Sequence, residues 1–231
     1  MIAVLAMAGR DGLPFALLHK VPLFLHALRS LAASGADDLV VAVDGHDLER
    51  VRRGVRQAGI RAEVRAGSGW WEHVGAGGDA RGLLVHDALC PLTASDFLRD
   101  VRTAAAERVD VSLLAYRPVT DTVKTVVDSR IQGTIDRERL AALVSPAAVA
   151  PRVLATARAT GEVPPIDDFA RLAAWLRERG PVELVRAPSL ARRVDDASSV
   201  NLLESVDELA RRVRREPVAR PVSDAAGRGT R

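Results

Sequence analysis

The sequence predicts an α/β fold built on a mostly parallel sheet. Short apolar runs alternate along the chain with segments of helical periodicity, which is the pattern of strand–helix–strand units. Clusters of glycine and proline separate these segments. With 231 residues, 48% of them hydrophobic and only 3% aromatic, the chain is long enough to fill a core made mainly of Ala, Val and Leu side chains.

The first half of the chain opens with a buried strand and a loop. The apolar run Ile2–Ala6 predicts the strand, and Gly9, Gly12 and Pro14 predict the loop that follows it. The next predicted elements are a helix over 22–33 that stops at Gly35, a strand over 39–43, a helix over 47–58 capped by Asp47, a strand over 62–65 and a glycine-rich stretch over 67–78.

The second half continues the alternation and adds a hairpin. Apolar and periodic segments predict a strand over 82–86, a helix over 95–108 and a strand over 111–116. Between 124 and 135, β-branched residues surround Asp128, Ser129 and Gly133, which predicts a projecting hairpin. The last predicted elements are helices over 151–160 and 167–179, a strand over 182–186 and a helix over about 205–215.

Charge is concentrated at the C-terminal end. Residues 211–231 contain seven arginines and two acidic residues, although the whole chain has a net charge of only +3. We therefore expect a single domain over 1–210 followed by a basic, disordered tail over 211–231. A nucleic-acid partner is not expected, because a binding face should lie on the folded body.

Cysteine content and hydropathy limit the cellular compartments that we expect for the protein. Cys90 is the only cysteine, which excludes an intramolecular disulfide and fits a reducing environment. No apolar run has the length of a membrane span, and no leader pattern is visible. We expect a soluble, cytoplasmic protein.

Motifs in the middle of the chain carry the functional signal. They are His86-Asp87-Ala88 at a strand end, Thr120-Asp121-Thr122 with Lys124 two residues later, and Thr134 followed by Asp136-Arg137. Together these motifs resemble the 2-C-methyl-D-erythritol 4-phosphate cytidylyltransferase family of the isoprenoid pathway. The resemblance spans residues 1 to about 210 and implies a Rossmann-like three-layer nucleotidyltransferase fold. It also implies a β-arm at about 120–137 that embraces a second subunit in a homodimer.

The resemblance assigns the arm motifs to the sugar-alcohol phosphate. Lys124 and Arg137 could hold a phosphomonoester between them. The alternative is that these residues stabilise the arm and the dimer interface. The residues that the resemblance places at this substrate are Thr120, Asp121, Thr122, Lys124, Thr134 and Arg137.

The half of the site that would bind CTP departs from the family pattern. A nucleotidyl transferase holds a triphosphate with backbone N–H groups and cations. Gly9 and Gly12 stand in a shorter loop than the family's, and Phe15 occupies the position of its lysine. Aligning residues 205–209 with the family's T-P-E-D-L segment puts Leu202 at a second lysine position. Arg10 is then the remaining cation of the loop, with a surface arginine as the alternative.

The base-binding segment is also altered. Its counterpart is residues 67–74, where His73 takes the place of the serine that contacts the base. Trp70 and Trp71 could stack on the base, fill a gap or form a dimer contact.

Asp87 matches the family's carboxylate at the C-terminal end of a parallel strand, where such sheets place their ligands. A carboxylate there suits Mg²⁺ or a ribose hydroxyl, and a structural hydrogen bond is the alternative. Cys90 stands where the family motif has an arginine. Asp87 is accordingly a candidate catalytic residue and metal ligand, and Arg10 is the second catalytic candidate.

Three functions remain open at this point. The first is the family reaction, in which CTP and a sugar-alcohol phosphate give a CDP-sugar alcohol and pyrophosphate with Mg²⁺. The second is a catalytically inactive homodimeric paralogue that acts as a phosphate-ligand-binding or regulatory module, since both triphosphate lysines are absent. The third is transfer from another nucleotide to another acceptor.

Overall fold

The computed structural model describes residues 1–36, 38–76 and 82–215. The described residues form eleven strands: β1 (Ile2–Ala6), β2 (Leu17–Leu18), β3 (Val21–Pro22), β4 (Asp38–Val43), β5 (Glu63–Ala66), β6 (Leu83–Asp87), β7 (Ser112–Pro118), β8 (Val123–Val127), β9 (Arg130–Ile135), β10 (Ala141–Val149) and β11 (Val182–Arg186). Their helices are α1 (Leu23–Ala33), α2 (Leu48–Gln57), α3 (Gly69–Ala76), α4 (Ser95–Ala106), α5 (Pro151–Thr160), α6 (Phe169–Arg179) and α7 (Ala197–Arg215).

Seven strands form one central sheet in the order β11–β7–β10–β6–β1–β4–β5. β10 runs antiparallel to its neighbours β6 and β7, whereas the other pairings are parallel. Because β1 and β6 end together at Ala6 and Asp87, the loops that follow them share one edge of the sheet. The predicted α/β fold with a mostly parallel sheet is confirmed.

Helices cover both faces of the sheet. On one face, α1, α2 and α4 pack apolar side chains against residues such as Leu5, Val41 and Leu84. On the other face, α3, α5 and α6 pack against Val4 and Val85, among others. The alternation of strand side chains supplies both layers, as expected for a parallel sheet buried on its two faces.

The predicted hairpin is also confirmed. β8 and β9 pair antiparallel, with Lys124 opposite Thr134, and form a two-stranded sheet of their own. The turn residues Asp128 and Ser129 both have positive φ, 47° and 61°, which matches the two-residue turn typical of tight hairpins. Most side chains of this β-arm are exposed.

Four elements were missed from sequence, of which β2 and β3 are two-residue strands between β1 and α1. β10 was not predicted because it is rich in alanine and contains Pro146, which argues against an inner strand. Its pairing with β7 is irregular between Leu143 and Ala147, so the proline sits where the ladder is already interrupted. α3 was missed because it lies within the glycine-rich stretch.

Two predictions about helix starts were wrong. The last helix begins at Ala197, not near residue 205, so residues 205–209 lie inside α7. Asp47 precedes α2, but its side chain makes no capping hydrogen bond. α7 also continues to Arg215, past the predicted boundary at 210, and Arg211 pairs with Asp207 at 2.7 Å. The predicted disorder of residues 216–231 falls outside the described residues.

Among the described residues, none of the helices combines the length and the apolar character that crossing a membrane requires.

Candidate functional site

Gly9 and Gly12 shape the loop after β1. Both have positive φ, 72° and 76°, which favours glycine. The Gly9 amide donates to Asp44 Oδ2 at 2.9 Å, and a Cβ on Gly9 would lie 3.3 Å from the Cβ of Asp167. The loop is therefore held between the end of β4 and the segment before α6.

Arg10 is buried and paired with Asp87. Its Nε and Nη2 donate to Oδ1 and Oδ2 of Asp87, each at 3.1 Å, and both side chains are 2% exposed. The other donors reach backbone carbonyls: Nη1 donates to Ala8 at 2.6 Å and to Asp167, and Nη2 donates to Ile166 at 3.0 Å. These contacts occupy all five N–H groups of the guanidinium. Arg10 therefore has no free donor for a phosphate in this conformation.

Asp87 is shared with a second arginine. Arg193 Nε donates to Asp87 Oδ2 at 3.4 Å, and the amide of Leu89 donates to Oδ1 at 2.9 Å. The Arg193 side chain is 38% exposed and also contacts Asp195. Partial burial acts to lower the pKa of Arg193, but the two carboxylates outweigh it and raise that pKa. Arg193 is thus a partly exposed cation at the carboxyl edge of the sheet.

Further arginines lie near Arg193. Arg192 precedes it, and partial burial together with the charge of Arg192 lowers the pKa of Arg117, at the end of β7. Two guanidinium groups that disfavour each other's charge in this way would be stabilised by an anion between them. Arg117, Arg192 and Arg193 thus add guanidinium groups to this edge, beside the carboxylates of Asp87 and Asp195.

Beneath Asp87 lies a buried polar pair. Ser145 Oγ accepts the amide N–H of Asp87 at 2.8 Å and lies 2.5 Å from His86 Nδ1. Burial lowers the pKa of His86 to about 4, so the imidazole is neutral at pH 7. Cys90 is also fully buried, and burial raises the pKa of its thiol. This excludes Cys90 as a reactive thiolate in the folded protein.

Asp87 does not fit the predicted role of metal ligand. Both carboxylate oxygens already accept hydrogen bonds from Arg10, and one of them also accepts from Arg193. A divalent cation prefers several oxygen ligands and would be repelled by two guanidinium groups. Within the described part of the chain, no group of three or more acidic, His or Cys side chains could hold a metal ion.

The structure does not bring His73 to this edge. His73 Nε2 lies 3.1 Å from Oδ1 of Asp38, the first residue of β4. Asp38 is opposite Ile2 at the start of β1, four residues before Ala6, or about 13 Å along the strand. Trp70 packs in the core, and Trp71 is half-buried against it with the Arg158 guanidinium 5.5 Å from its ring.

Phe15, at the position of the family's first lysine, contacts a cation that sequence reasoning missed. The guanidinium of Arg50, in the first turn of α2, lies 3.6 Å from the centre of the Phe15 ring. This distance allows a cation–π interaction. Arg50 is exposed, so a positive charge stands beside the loop although the loop itself lacks a lysine.

Two residues of the arm motifs line a cavity of about 430 Å³. Thr120, Arg137 and Tyr116 line it, and Arg137 Nη1 donates to the carbonyl of Thr120 at 2.6 Å. Lys124 and Thr134 are joined across the hairpin, with Lys124 Nζ donating to Thr134 Oγ1 at 2.6 Å. The structure thus brings Thr120 together with Arg137, and Lys124 with Thr134. Asp121 and Thr122 are exposed in the connection between β7 and β8.

Sequence comparison agrees with the fold and the motifs. The family model for 2-C-methyl-D-erythritol 4-phosphate cytidylyltransferase matches residues 8–192. The chain belongs to this family.

Individual relatives are distant. The enzyme of that name from Bacillus cytotoxicus is 28% identical over 147 residues, which cover 60% of this chain and 64% of the relative. A bifunctional enzyme IspD/IspF from Nitratidesulfovibrio vulgaris is 30% identical over 189 residues, covering 74% of this chain and 44% of the relative. The chain therefore matches less than two thirds of the length of these two relatives.

Solved structures show the same fold. A 4-diphosphocytidyl-2C-methyl-D-erythritol synthase from Anaerococcus prevotii superposes with a TM-score of 0.69 at 12% identity, over 90% of this chain and 98% of that one. The 2-C-methyl-D-erythritol 4-phosphate cytidylyltransferase from Thermus thermophilus gives a TM-score of 0.65 at 21% identity, with the same two coverages. The predicted Rossmann-like three-layer fold is confirmed.

The corrected start of α7 changes the surroundings of Leu202, which the sequence analysis placed at the family's second lysine position. With residues 205–209 inside the helix, Leu202 also lies within it. The segment before α7 instead presents Arg192 and Arg193, and Arg193 reaches Asp87. Sequence reasoning missed these arginines because it placed the helix start eight residues too late. The pair Arg192-Arg193 directly before Asp195-Asp196 and a serine-rich helix start was the available signal.

Proposed function

We propose that this protein is a cytidylyltransferase that joins CTP to a sugar-alcohol phosphate and releases pyrophosphate. The observation that carries the proposal is the arginine-rich edge around Asp87, at the C-terminal end of the parallel strands of a chain that belongs to this family. Ligands of open α/β sheets bind at this edge.

In the proposed mechanism Arg193 is the mobile cation. Its bond to Asp87 is long, at 3.4 Å, and its pair with Asp195 lies at the surface, while Arg10 keeps the Asp87 carboxylate paired through two shorter bonds. Arg193 can therefore turn to a phosphate without leaving a buried charge unpaired. Arg10 acts as a positioning residue that fixes the loop and Asp87. Backbone N–H groups around Gly9 and Gly12, with Arg50 beside the loop, complete the triphosphate site.

The chemical step needs no nucleophile from the protein. An oxygen of the acceptor's phosphate, already deprotonated at pH 7, attacks the α-phosphorus of CTP and forms the new P–O bond. The bond between the α-phosphorus and the bridging oxygen breaks, and pyrophosphate leaves with its electron pair. The protein contributes positioning and positive charge. Mg²⁺ remains a proposed cofactor, but Asp87 is not proposed as its ligand.

The acceptor is proposed to bind at the base of the β-arm. The cavity beside Thr120 and Arg137 is large enough for a small phosphorylated polyol, and Arg137 keeps donors free after its bond to Thr120. Further proposed contacts to the acceptor come from Asp121, Thr122, Lys124 and Thr134.

A homodimer through the arm is part of the proposal. Val126, Val127 and Ile131 are 58%, 55% and 69% exposed on the hairpin, and a second subunit would cover them. We also propose that residues 1–210, including the arm at 120–137, form one domain. The last turn of α7 extends this domain beyond residue 210.

The second candidate is an inactive phosphate-binding module. The specific observation in its favour is that Arg10 and Asp87, the two predicted catalytic residues, are fully engaged with each other and with the backbone. A chain of this kind would keep the arm and its cavity but would not turn over CTP.

Nucleotide binding and pyrophosphate release separate the two candidates. Melting temperatures would be measured with CTP, UTP, GTP and ATP in the presence of Mg²⁺, each with and without methylerythritol phosphate. The cytidylyltransferase proposal expects CTP to stabilise the folded protein and pyrophosphate to appear only when the acceptor is present. Arg193→Met should remove the CTP shift, whereas Arg186→Met, an exposed arginine at the end of β11, should retain it. A shift with the acceptor alone, and no pyrophosphate, would leave the inactive module.

A further inference from the structure

A second concave surface lies at the opposite end of the sheet. It is a groove of about 520 Å³ between α2 and the strands β4 and β5, with Leu39, Val55, Ile60 and Val64 as its apolar lining. Leu39 follows the first residue of β4, so the groove lies at the N-terminal end of the strands, whereas Asp87 ends β6 at the other edge. The groove is therefore separate from the proposed active site.

Arginines surround this groove. Arg52, Arg56 and Arg61 line it together with two carboxylates, Asp38 and Glu63. Both carboxylates already have basic partners, since His73 lies 3.1 Å from Asp38 and Arg65 lies 3.1 Å from Glu63.

Two of the arginines remain without an acidic partner. Arg52 pairs with Glu49 at 2.8 Å, but Arg56 and Arg61 are exposed and form no ion pair with any residue that the structure describes. Their charges are therefore available to an anionic ligand. The groove thus combines an apolar floor with unpaired positive charge at its rim.

The strand beside the groove has a free edge. β5 is the last strand of the sheet and pairs with β4 alone among the described strands. Four residues of its backbone, Glu63–Ala66, thus have one edge that no described strand covers. Such an edge is a template for an added strand, and added strands recognise a partner through main-chain hydrogen bonds and alternate side chains.

We propose that the β5 edge and this groove bind an extended acidic segment of another protein. The segment would lie along β5 as an additional strand, with an apolar side chain against the partly exposed Ile60 and carboxylates against Arg56 and Arg61. Charge complementarity selects an acidic partner over the chain's own residues 216–231, which carry more arginines than acidic residues. A small anion would use the arginines but neither the strand edge nor the apolar floor.

The test uses the full chain and a fluorescent peptide of about eight alternating valine and glutamate residues. Binding would be followed by fluorescence anisotropy at physiological salt. We expect Arg56→Glu and Arg61→Glu, each made as a single variant, to weaken binding by about fivefold or more. Arg53→Glu is the matched control, because Arg53 is exposed on the same helix but does not line the groove, and it should change affinity by less than about threefold. Unchanged melting temperatures would show that the variants are folded.

Two further probes test the mode of binding. A peptide with an N-methyl group on every residue has no backbone N–H to donate on either edge, so it should lose binding if a strand is added. Inorganic pyrophosphate should compete poorly. Equal binding of the methylated peptide, equal weakening by Arg53→Glu, or full displacement by pyrophosphate would each overturn the proposal. Equal binding of the methylated peptide would exclude strand addition, and equal weakening by Arg53→Glu would reduce the binding to general charge attraction. Full displacement by pyrophosphate would make the groove a site for small anions.

Discussion

Removing Arg10 should destabilise the whole domain. The guanidinium and the Asp87 carboxylate are both 2% exposed and joined by two bonds of 3.1 Å, so loss of Arg10 leaves the buried carboxylate with only the longer 3.4 Å bond to Arg193 as a charged contact. Removing one partner of a buried pair typically costs about 3–5 kcal/mol. We therefore expect Arg10→Met to lower the free energy of unfolding by about 3–5 kcal/mol, because the carbonyls of Ile166 and Asp167 also lose their donor.

Urea unfolding, followed by circular dichroism and tryptophan fluorescence, would measure this cost. A double-mutant cycle with Asp87→Asn should give a coupling energy of about 0.5–3 kcal/mol between the two residues. Arg171→Met is the control, since its pair with Asp167 is exposed at the surface and should contribute less than about 1 kcal/mol. If Arg10→Met costs no more than Arg171→Met, the buried pair does not hold this edge together.

Three other measurements test separate features. Burial lowers the pKa of His86 from 6.5 to about 4, so between these values the unfolded chain binds a proton that the folded chain does not. The free energy of unfolding should therefore fall by about 3 kcal/mol because of this residue as the pH falls from 6.5 to 4. Urea unfolding at several pH values should show a weaker pH dependence of stability for His86→Gln than for the unchanged protein, and an identical dependence would contradict the assignment. Asp168 caps α6 by accepting from the amides of Ala170 and Arg171 at 2.7 and 3.1 Å, so Asp168→Ala should cost about 0.5–2 kcal/mol in urea unfolding, whereas Asp168→Asn should cost less. Cys90 is buried with a raised pKa, so mass spectrometry should show no alkylation by iodoacetamide at pH 8 in the folded protein and full alkylation in urea, and labelling of the folded chain would refute this.

The sheet was predictable because its strands and helices repeat in a local pattern. β1 is a continuous apolar run, and β4 and β6 contain the apolar runs 39–43 and 83–85. The two turn residues of the β-arm are of the kind that hairpins need. β10 escaped because Pro146 breaks the expected strand pattern at a place where pairing with β7 is irregular. Periodicity cannot reveal such an irregularity, since it depends on the neighbouring strand.

The sequence predicted where the site lies but not which of its side chains pair with each other. The motif around Asp87 and the loop glycines were placed at one edge, as expected from parallel strands. The sequence did not reveal that Arg10 pairs with Asp87, because the two residues are 77 positions apart. His73 was matched to the site by its place in a motif, yet the path of α3 carries it to Asp38 at the far end of β4.

The many partners of Arg10 have a consequence for synthesis of the chain on the ribosome. Its acceptors at Ile166 and Asp167 lie 156 and 157 residues downstream, and Arg193 lies 106 residues after Asp87. In a nascent chain that stops short of residue 166, Arg10 can pair only with Ala8 and Asp87, because the two downstream carbonyls do not yet exist. Completion of the Arg10 contacts is thus a late event in biogenesis, since it waits for a segment that is made long after the loop carrying Arg10.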